Sequence, residues 1–384
     1  MVPLRSPTWH LLGARLIDEM RILLATPQYV PELGGLTTVW SKVATALVRQ
    51  GHQVTVVTQQ PRSSHSPSSE ICEGVTVHRF TERVGGERFG YAPSLRRWVR
   101  AEVKQFDLIH LVSFHAPIAL ALHRLATVPM VFSPTYHGGG HTPLANALHL
   151  VYQPMSRGIF KRADLIHCYS ESEAQGVEHA FPLTHNKIRV IHAGFPTQQS
   201  PSAPPFDLGQ PVLLVAGRLE AYKRVDLIID ALQYLKSDVR LVVCGAGPQE
   251  RELRERSQQS SQAQSVDFVG YVSDEELCRW QRSATVALSA STDESFGLGL
   301  AEAASAGARV VATDLPAHRE VAQLLGVEMA FFPVTISPRK LANMIDLAVN
   351  AGRQDASAVR VRTWDDVAAD FDLVYRDLVR RTKP

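Results

Sequence analysis

The sequence predicts an α/β protein of two Rossmann-like domains, each a doubly wound parallel sheet, facing a cleft. Short runs rich in Val, Ile and Leu, apolar on both faces, alternate with stretches of helical period along the chain. Such runs are expected of buried parallel strands with helices between them. Between Gly194 and Gln210 the alternation stops in a Pro- and Ser-rich aperiodic stretch and then starts afresh, as an interdomain linker does. A chain of 384 residues is also longer than one core ordinarily serves and suits two.

The predicted divisions are an extension at 1–19, a first domain at 20–196, a linker at 197–210, a second domain at 211–362 and a closing helix at 363–384. Residues 1–19 lack the continuous apolar core and small-residue cleavage site of a signal peptide, so they read as a poorly ordered extension or an upstream start. The first strand follows Met20 at once, at Ile22–Ala25. Further strands of the first domain are expected at Val54–Thr58, Leu108–Val112, Met130–Phe132 and Leu165–Cys168. The second domain offers Val212–Ala216, Val239–Cys244, Asp267–Val269, Val286–Leu288 and Val310–Ala312. A helix starting at Asp274 carries a capping box, with Ser273 as N-cap and Glu276 three residues on. In the closing helix Trp364, Val367, Phe371 and Tyr375 share one face.

Composition narrows the function classes. No run of about 18 apolar residues exists, which excludes a membrane-spanning helix. Cys72, Cys168, Cys244 and Cys278 form no CxxC pair, which argues against a zinc site or a disulfide framework and fits a reducing cytosol. Residues 1–200 hold 19 Lys and Arg against 13 Asp and Glu, and the remainder 21 against 25. A basic front half suits either anionic lipid or a phosphorylated acceptor, or is a scatter of solvated charge. Ser94–Arg100 is open in the same way. It reads as a basic amphipathic helix on a membrane surface, or as Leu95, Trp98 and Val99 packing against a sheet.

Four motifs carry chemistry. The first is Gly34-Gly35, between the first strand and a helix start. Free backbone N–H groups at a positive dipole end make an anion site there, and the missing Cβ atoms let phosphate approach; a plain tight turn is the alternative. It is not GxGxxG, which disfavours a dinucleotide. The second is Gly217-Arg218 with Lys223, at the C-terminal end of the second domain's first strand. Two cations there would compensate a departing diphosphate, unless they merely pair with Glu220 or Asp226. The third and strongest runs from Asp293 to Ala303. Glu294 and Glu302 lie eight positions apart around the Phe296-Gly297-Leu298-Gly299 turn, placed to accept hydrogen bonds from sugar or ribose hydroxyls; an acidic helix N-terminus is the alternative. The fourth is His137-Gly138-Gly139-Gly140-His141. Its glycines make a zinc-binding helix implausible, and it suits a loop lining the cleft. His110, His115, His167 and His192 are expected at strand ends for structural reasons.

With these residues in place, the chain resembles the retaining glycosyltransferase family 4 (group 1 glycosyltransferases) of the GT-B fold, from Met20 to the closing helix. The ordered set is Gly34-Gly35, Gly51-His52-x-Val54, Ala163-Asp164 to Ser170, Gly217-Arg218 with Lys223, Gly245-x-Gly247-Pro248, Phe268-x-Gly270 and the E-x7-E pair. The resemblance implies that Gly34 and Gly35 lie near the donor diphosphate, and that Arg218 and Lys223 bind it beside Gly217 and Gly245. It implies that Glu294 contacts donor-sugar hydroxyls with the N–H groups of Phe296, Gly297 and Leu298, and that Glu302 holds the ribose. Tyr271 and Val272 would border the base and His137 would sit beside the donor sugar. The closing helix would cross back onto the first domain. Activity implied is metal-independent, cofactor-free transfer, with retention, from a nucleotide diphosphate sugar, most often a UDP-sugar, to an acceptor hydroxyl on a glycan, lipid-linked sugar or small molecule. A cytoplasmic site, peripheral at most to the membrane, and no nucleic-acid partner are expected. A non-catalytic nucleotide-sugar-binding subunit and a sugar-nucleotide epimerase share the architecture; a dehydrogenase lacks its fingerprint here. Two departures, Ile191-His192-Ala193-Gly194-Phe195-Pro196 at the hinge and Leu298-Gly299 in the sugar loop, bear on donor preference.

Overall fold

A computed structural model of the chain describes residues 19–32, 34–83, 92–136, 143–195 and 204–382. The expectations for residues 1–18, for His137 and its glycine loop, for residue 196 and for 197–203 of the linker lie outside these.

The first domain runs through β1 (Arg21–Ala25), α1 (Gly35–Arg49), β2 (Gln53–Gln60), β3 (Ser69–Cys72), β4 (Val75–Thr81), α2 (Pro93–Glu102), β5 (Leu108–Val112), α3 (Pro117–Leu122), β6 (Met130–Ser133), α4 (Pro143–Arg162), β7 (Leu165–Cys168), α5 (Glu171–Ala180) and β8 (Ile188–Val190). The second holds β9 (Val212–Ala216), α6 (Val225–Leu232), β10 (Arg240–Cys244), α7 (Glu250–Gln259), β11 (Val266–Gly270), α8 (Asp274–Ser283), β12 (Ala284–Ser289), α9 (Leu298–Ser305), β13 (Arg309–Thr313), α10 (Pro316–Leu325), β14 (Met329–Phe332) and α11 (Pro338–Asn350). The chain closes with α12 (Trp364–Thr382).

Among the described residues the strands form two sheets, in the orders β3-β4-β2-β1-β5-β6-β7-β8 and β11-β10-β9-β12-β13-β14. Every strand pair is parallel except β3 with β4. β5 and β6 are buried at every position, which is why they read as unbroken apolar runs. The β3–β4 hairpin, like β8 and β14, is absent from the expected strands. Val75, Val77 and Arg79 point inward and alternate with half-buried neighbours, giving a period-2 signal rather than an apolar run. Sheet growth reverses at β1/β5 and at β9/β12, so the loops after β1 and β9 open onto a crevice at the strand ends.

The amphipathic face read from the sequence fixes α12. Trp364, Val367, Phe371 and Tyr375 are all buried, and the Phe371 ring lies 5.5 Å from that of Trp40 on α1. Arg49 on α1 bonds Asp365 Oδ1 at 2.6 Å, and His52 pairs with Asp372 at 2.9 Å. The last helix thus packs against the first domain. Two chain segments therefore cross between the domains side by side: Phe195 N donates to Arg362 O at 2.8 Å. A Cβ at Gly194 would meet the Thr363 backbone at 2.9 Å, so only glycine permits this approach.

Candidate active site

The second domain's wall of the cleft is built from loops that follow successive strands. Gly217 N donates to Cys244 O at 2.9 Å, Leu219 N to Ala246 O at 3.0 Å, and Gly245 N to Gly270 O at 2.7 Å. The loops after β9, β10 and β11 are thereby laced into one surface. Gly217 and Gly245 take positive φ angles of 140° and 138°. A Cβ at Gly245 would sit 1.9 Å from Gly217 O, whereas one at Gly217 meets open space. Gly245 closes the lacing, and Gly217 leaves a free approach to the backbone.

A short turn at Ala221–Lys223 carries the lysine inward, and Thr292 N fastens the next loop to it by donating to Tyr222 O at 2.8 Å. The Lys223 ammonium donates to Glu294 Oε1, which also accepts from Ser291 Oγ at 2.8 Å. Burial works against both charges, but each is the other's remedy. Glu294 is held below the usual carboxylate range chiefly by Lys223, with His318 and Ser291 assisting. Lys223 is held above its usual value by Glu294. The pair is fully ionised at neutral pH. Arg218 does not join it: its guanidinium, half-exposed, pairs with Glu220 at 3.1 Å. That is the ion pair the sequence left as the alternative for this loop.

Gly297 caps α9 in the left-handed region, at φ 93° and ψ 44°. The first-turn amides of α9, Leu298 and Gly299 among them, have no i−4 carbonyl and make a positive terminus beside Glu294. Glu302 follows two turns into the loop-helix unit, half-buried, where it accepts from Gln281 Nε2 on α8 at 2.9 Å. Burial pushes its carboxyl up to about 7, partly offset by Gln281. Tyr271 stands at the rim, 58% exposed, while Val272 packs into the core beside it.

The opposite wall belongs to the first domain. Gly34 and Gly35 are exposed at the start of α1, with no acidic residue in its first turn. From α1, Lys42 reaches Asp274 on α8 at 3.4 Å, and its charge is felt at Glu302. Phe296 stacks on Phe195 with ring centres 5.9 Å apart, so the Glu294 loop rests on the crossover segment. The structure therefore gathers Gly217, Gly245, Lys223, Glu294, Phe296, Gly297, Leu298 and Glu302 on one surface, with Gly34 and Gly35 on the other. Sequence reasoning missed Ser291, Gln281 and His318. Each is an isolated polar residue without a motif; Gln281 meets Glu302 from another helix, whereas Ser291 stands only three positions before Glu294.

Models of two protein families match successive parts of the chain: Glycosyltransferase Family 4 over residues 33–199 and Glycosyl transferases group 1 over residues 197–359. The chain belongs to the family 4, group 1 glycosyltransferases. Glycogen synthase of Mycobacterium tuberculosis is 28% identical to this glycosyltransferase over 388 residues, covering 92% of this chain and 91% of that one. Alpha-monoglucosyldiacylglycerol synthase of Streptococcus pneumoniae is 26% identical over 77% of this chain and 72% of its own. Sucrose-phosphate synthase of Thermosynechococcus elongatus superposes with a TM-score of 0.75 at 17% identity, over 95% of this chain and 100% of that one. HepE of Anabaena, solved with UDP-glucose, gives 0.66 at 19% identity, over 95% and 99%. The architecture is GT-B, as the resemblance implied.

Proposed function

We propose that this glycosyltransferase moves a sugar from a nucleotide diphosphate donor to an acceptor hydroxyl, with retention at the anomeric carbon and without a metal ion. The observation that carries the reading is the ionised Lys223–Glu294 pair beside the α9 terminus. A buried carboxylate kept charged accepts strongly from sugar hydroxyls, while fixed cations and helix amides favour the charge that builds on a departing diphosphate. In this reading Lys223 and Arg218 bind the diphosphate, Arg218 turning from Glu220 to do so, and Gly35 approaches it from the other wall. Glu294 and the Phe296–Leu298 amides hold the sugar, Glu302 the ribose, and His137 borders the sugar from the first domain. No cofactor takes part. A UDP-sugar is the donor to try first, since HepE binds UDP-glucose in the same fold.

The acceptor side is assigned to the first domain, with a lipid-borne or glycan hydroxyl in keeping with the relatives' names. The reading places the enzyme in the cytoplasm, touching anionic membrane by charge alone. On α2, Leu95 and Val99 are buried and Trp98 packs 5.0 Å from His78, so its apolar side is already used. Arg97 and Arg100, with Lys104 just beyond, remain exposed. No described helix is long and apolar enough to cross a membrane. Binding to anionic vesicles that persists in high salt would sink this contact.

The test of the transfer reading is release of nucleoside diphosphate from UDP-, GDP- and ADP-sugars in EDTA, by the wild type and Glu294→Ala. Slow release from one donor that survives EDTA and collapses in the variant is expected. Release that requires a divalent metal, or that Glu294→Ala leaves intact, overturns it.

A further inference from the structure

Helix α10 touches both sides of the cleft, because residues two apart on a helix do not face the same way. On one side His318, fully buried, packs against the Glu294 loop. A Cβ built on Gly297 would meet its Cδ2 at 3.1 Å, and its Nδ1 is fixed 2.7 Å from Thr313 O. On the other side Glu320 reaches out of the second domain and accepts from Glu171 N, at 2.8 Å to Oε1 and 3.1 Å to Oε2. Glu171 is the first residue of α5 in the first domain.

The first amides of a helix have no intrahelical carbonyl to bond. Ser170 Oγ takes that of Glu173 at 3.0 Å and Glu320 takes that of Glu171, so the other domain supplies part of the α5 cap. The carboxylate also answers the positive end of the helix dipole, against the charges of Glu171 and Glu173 in the same turn. His192, in the hinge segment, completes the contact. Its Nδ1 lies 2.9 Å from Tyr169 O, a carbonyl that only accepts, so this nitrogen carries a proton and presents it to Glu320 at 3.5 Å. The His192 ring stacks on Phe296 of the Glu294 loop, with centres 6.2 Å apart. Lys42 and Asp274 also pair across the cleft, but their side chains are 42% and 73% exposed, and such pairs contribute little. The Glu320 side chain is 13% exposed.

We propose that the bond from Glu171 N to Glu320 is the clasp that sets the spacing of the two walls, which makes Glu320 a positioning residue for transfer. Through α10 and His192 the first domain then fixes the Glu294 loop. The inference rests on the reading of that loop as the sugar loop, and adds what brings Gly35 and Lys223 to bear on one diphosphate.

The bond can be cut from either side. Glu320→Ala removes the acceptor. Glu171→Pro removes the donor, and proline suits the first position of a helix after an extended Ser170. Glu171→Ala, which loses the carboxylate and keeps the N–H, is the control. Small-angle scattering of the full chain, affinity for UDP, GDP and ADP, and nucleoside diphosphate release from their sugars are measured on each variant and on Glu320→Ala combined with Glu171→Pro. Glu320→Ala and Glu171→Pro are each expected to give a larger radius of gyration and release slowed at least about tenfold. Nucleotide affinity should stay within about threefold, since Lys223 and Glu302 lie on one wall. Glu171→Ala should match wild type, and Glu320→Gln, which keeps an acceptor, should fall between wild type and Glu320→Ala. The combined variant should be no worse than either alone, because both remove the same bond. An unchanged radius, an effect of Glu320→Ala that Glu171→Pro does not reproduce, additive losses, or failure of both to fold overturns the proposal. Wild type that releases nothing from any donor of the panel overturns the transfer reading instead, and scattering alone then decides the clasp.

Discussion

The phenol of Tyr375 donates to Nδ1 of His110 across 2.6 Å, tying the last helix of the chain to a central strand of the first domain. The contact is one end of a buried series. His110 Nε2 lies 2.7 Å from Ser133 Oγ, Ser133 Oγ lies 2.7 Å from His167 Nδ1, and His167 Nε2 lies 2.9 Å from Ile191 O. The carbonyl at the far end can only accept, which fixes every proton along the series. His167 donates to it, Ser133 donates to His167, His110 to Ser133, and Tyr375 to His110. Burial keeps both rings neutral, lowering His167 to about 4 and His110 well below its usual value.

Removing the phenol hydroxyl in Tyr375→Phe leaves His110 Nδ1 as a buried acceptor without a donor. The expected cost is about 1–3 kcal/mol of stability. It should appear as a lower urea midpoint at unchanged slope, since surface exposed on unfolding hardly differs. An unchanged midpoint would mean that the bond to His110 adds nothing to the other contacts that hold α12.

That series was not legible in the sequence. His110 and His167 are expected at strand ends but stand inside β5 and β7, and Ser133 and Tyr375 join them only once three parallel strands and a helix 265 residues away in sequence are assembled. What the sequence does carry is local. Strands buried on both faces announce themselves as apolar runs, and the Ser273 box caps α8 as expected, Ser273 Oγ accepting from Glu276 N at 3.2 Å. The loop residues of the site were legible because glycines and charges at strand ends have few other reasons to be there. Gln281 was not, because its partner Glu302 is met only through the packing of α8 against α9.

The Lys223–Glu294 pair gives a prediction that separates stability from activity. Lys223→Met strands a mostly buried carboxylate and should lower stability by ~2–4 kcal/mol. Adding Glu294→Gln removes the stranded charge, so the double variant should regain most of that loss. Transfer should not return: both variants are expected to turn over at least about 100-fold more slowly than wild type. Denaturant midpoints and nucleoside diphosphate release on the same samples check it. Activity that recovers together with stability would reduce the pair to a structural one.

Glu302 gives a pH dependence of known sign. Burial raises its carboxyl to about 7, so acidification from about pH 8 to about pH 6 converts it from an all-acceptor carboxylate to a protonated acid. Affinity for a nucleotide sugar, whose diphosphate stays ionised over this range, should fall as pH falls. In Glu302→Gln it should be weak and nearly flat. Calorimetric titration at several pH values decides; a slope that survives unchanged in the variant assigns the titration to another group.

Gly217 and Gly245 share a positive φ near 140° and differ in what surrounds them, which makes a useful pair. An alanine at either must hold a φ near 140°, a strain of about 1–3 kcal/mol. At Gly217 that is the whole cost to the fold, because its Cβ meets open space. At Gly245 the Cβ would lie 1.9 Å from Gly217 O, so the loops after β9 and β10 must part and the bond from Gly217 N to Cys244 O is put at risk. Gly245→Ala should therefore be the more destabilised of the two. The functional order is expected to differ in kind: Gly217→Ala keeps its fold but obstructs the backbone approach beside Arg218, so nucleotide affinity falls more than thermal stability. Melting temperature and nucleotide affinity of the two variants, measured together, test this. Equal destabilisation would mean that backbone strain, and not the lacing of the loops, sets the requirement for glycine.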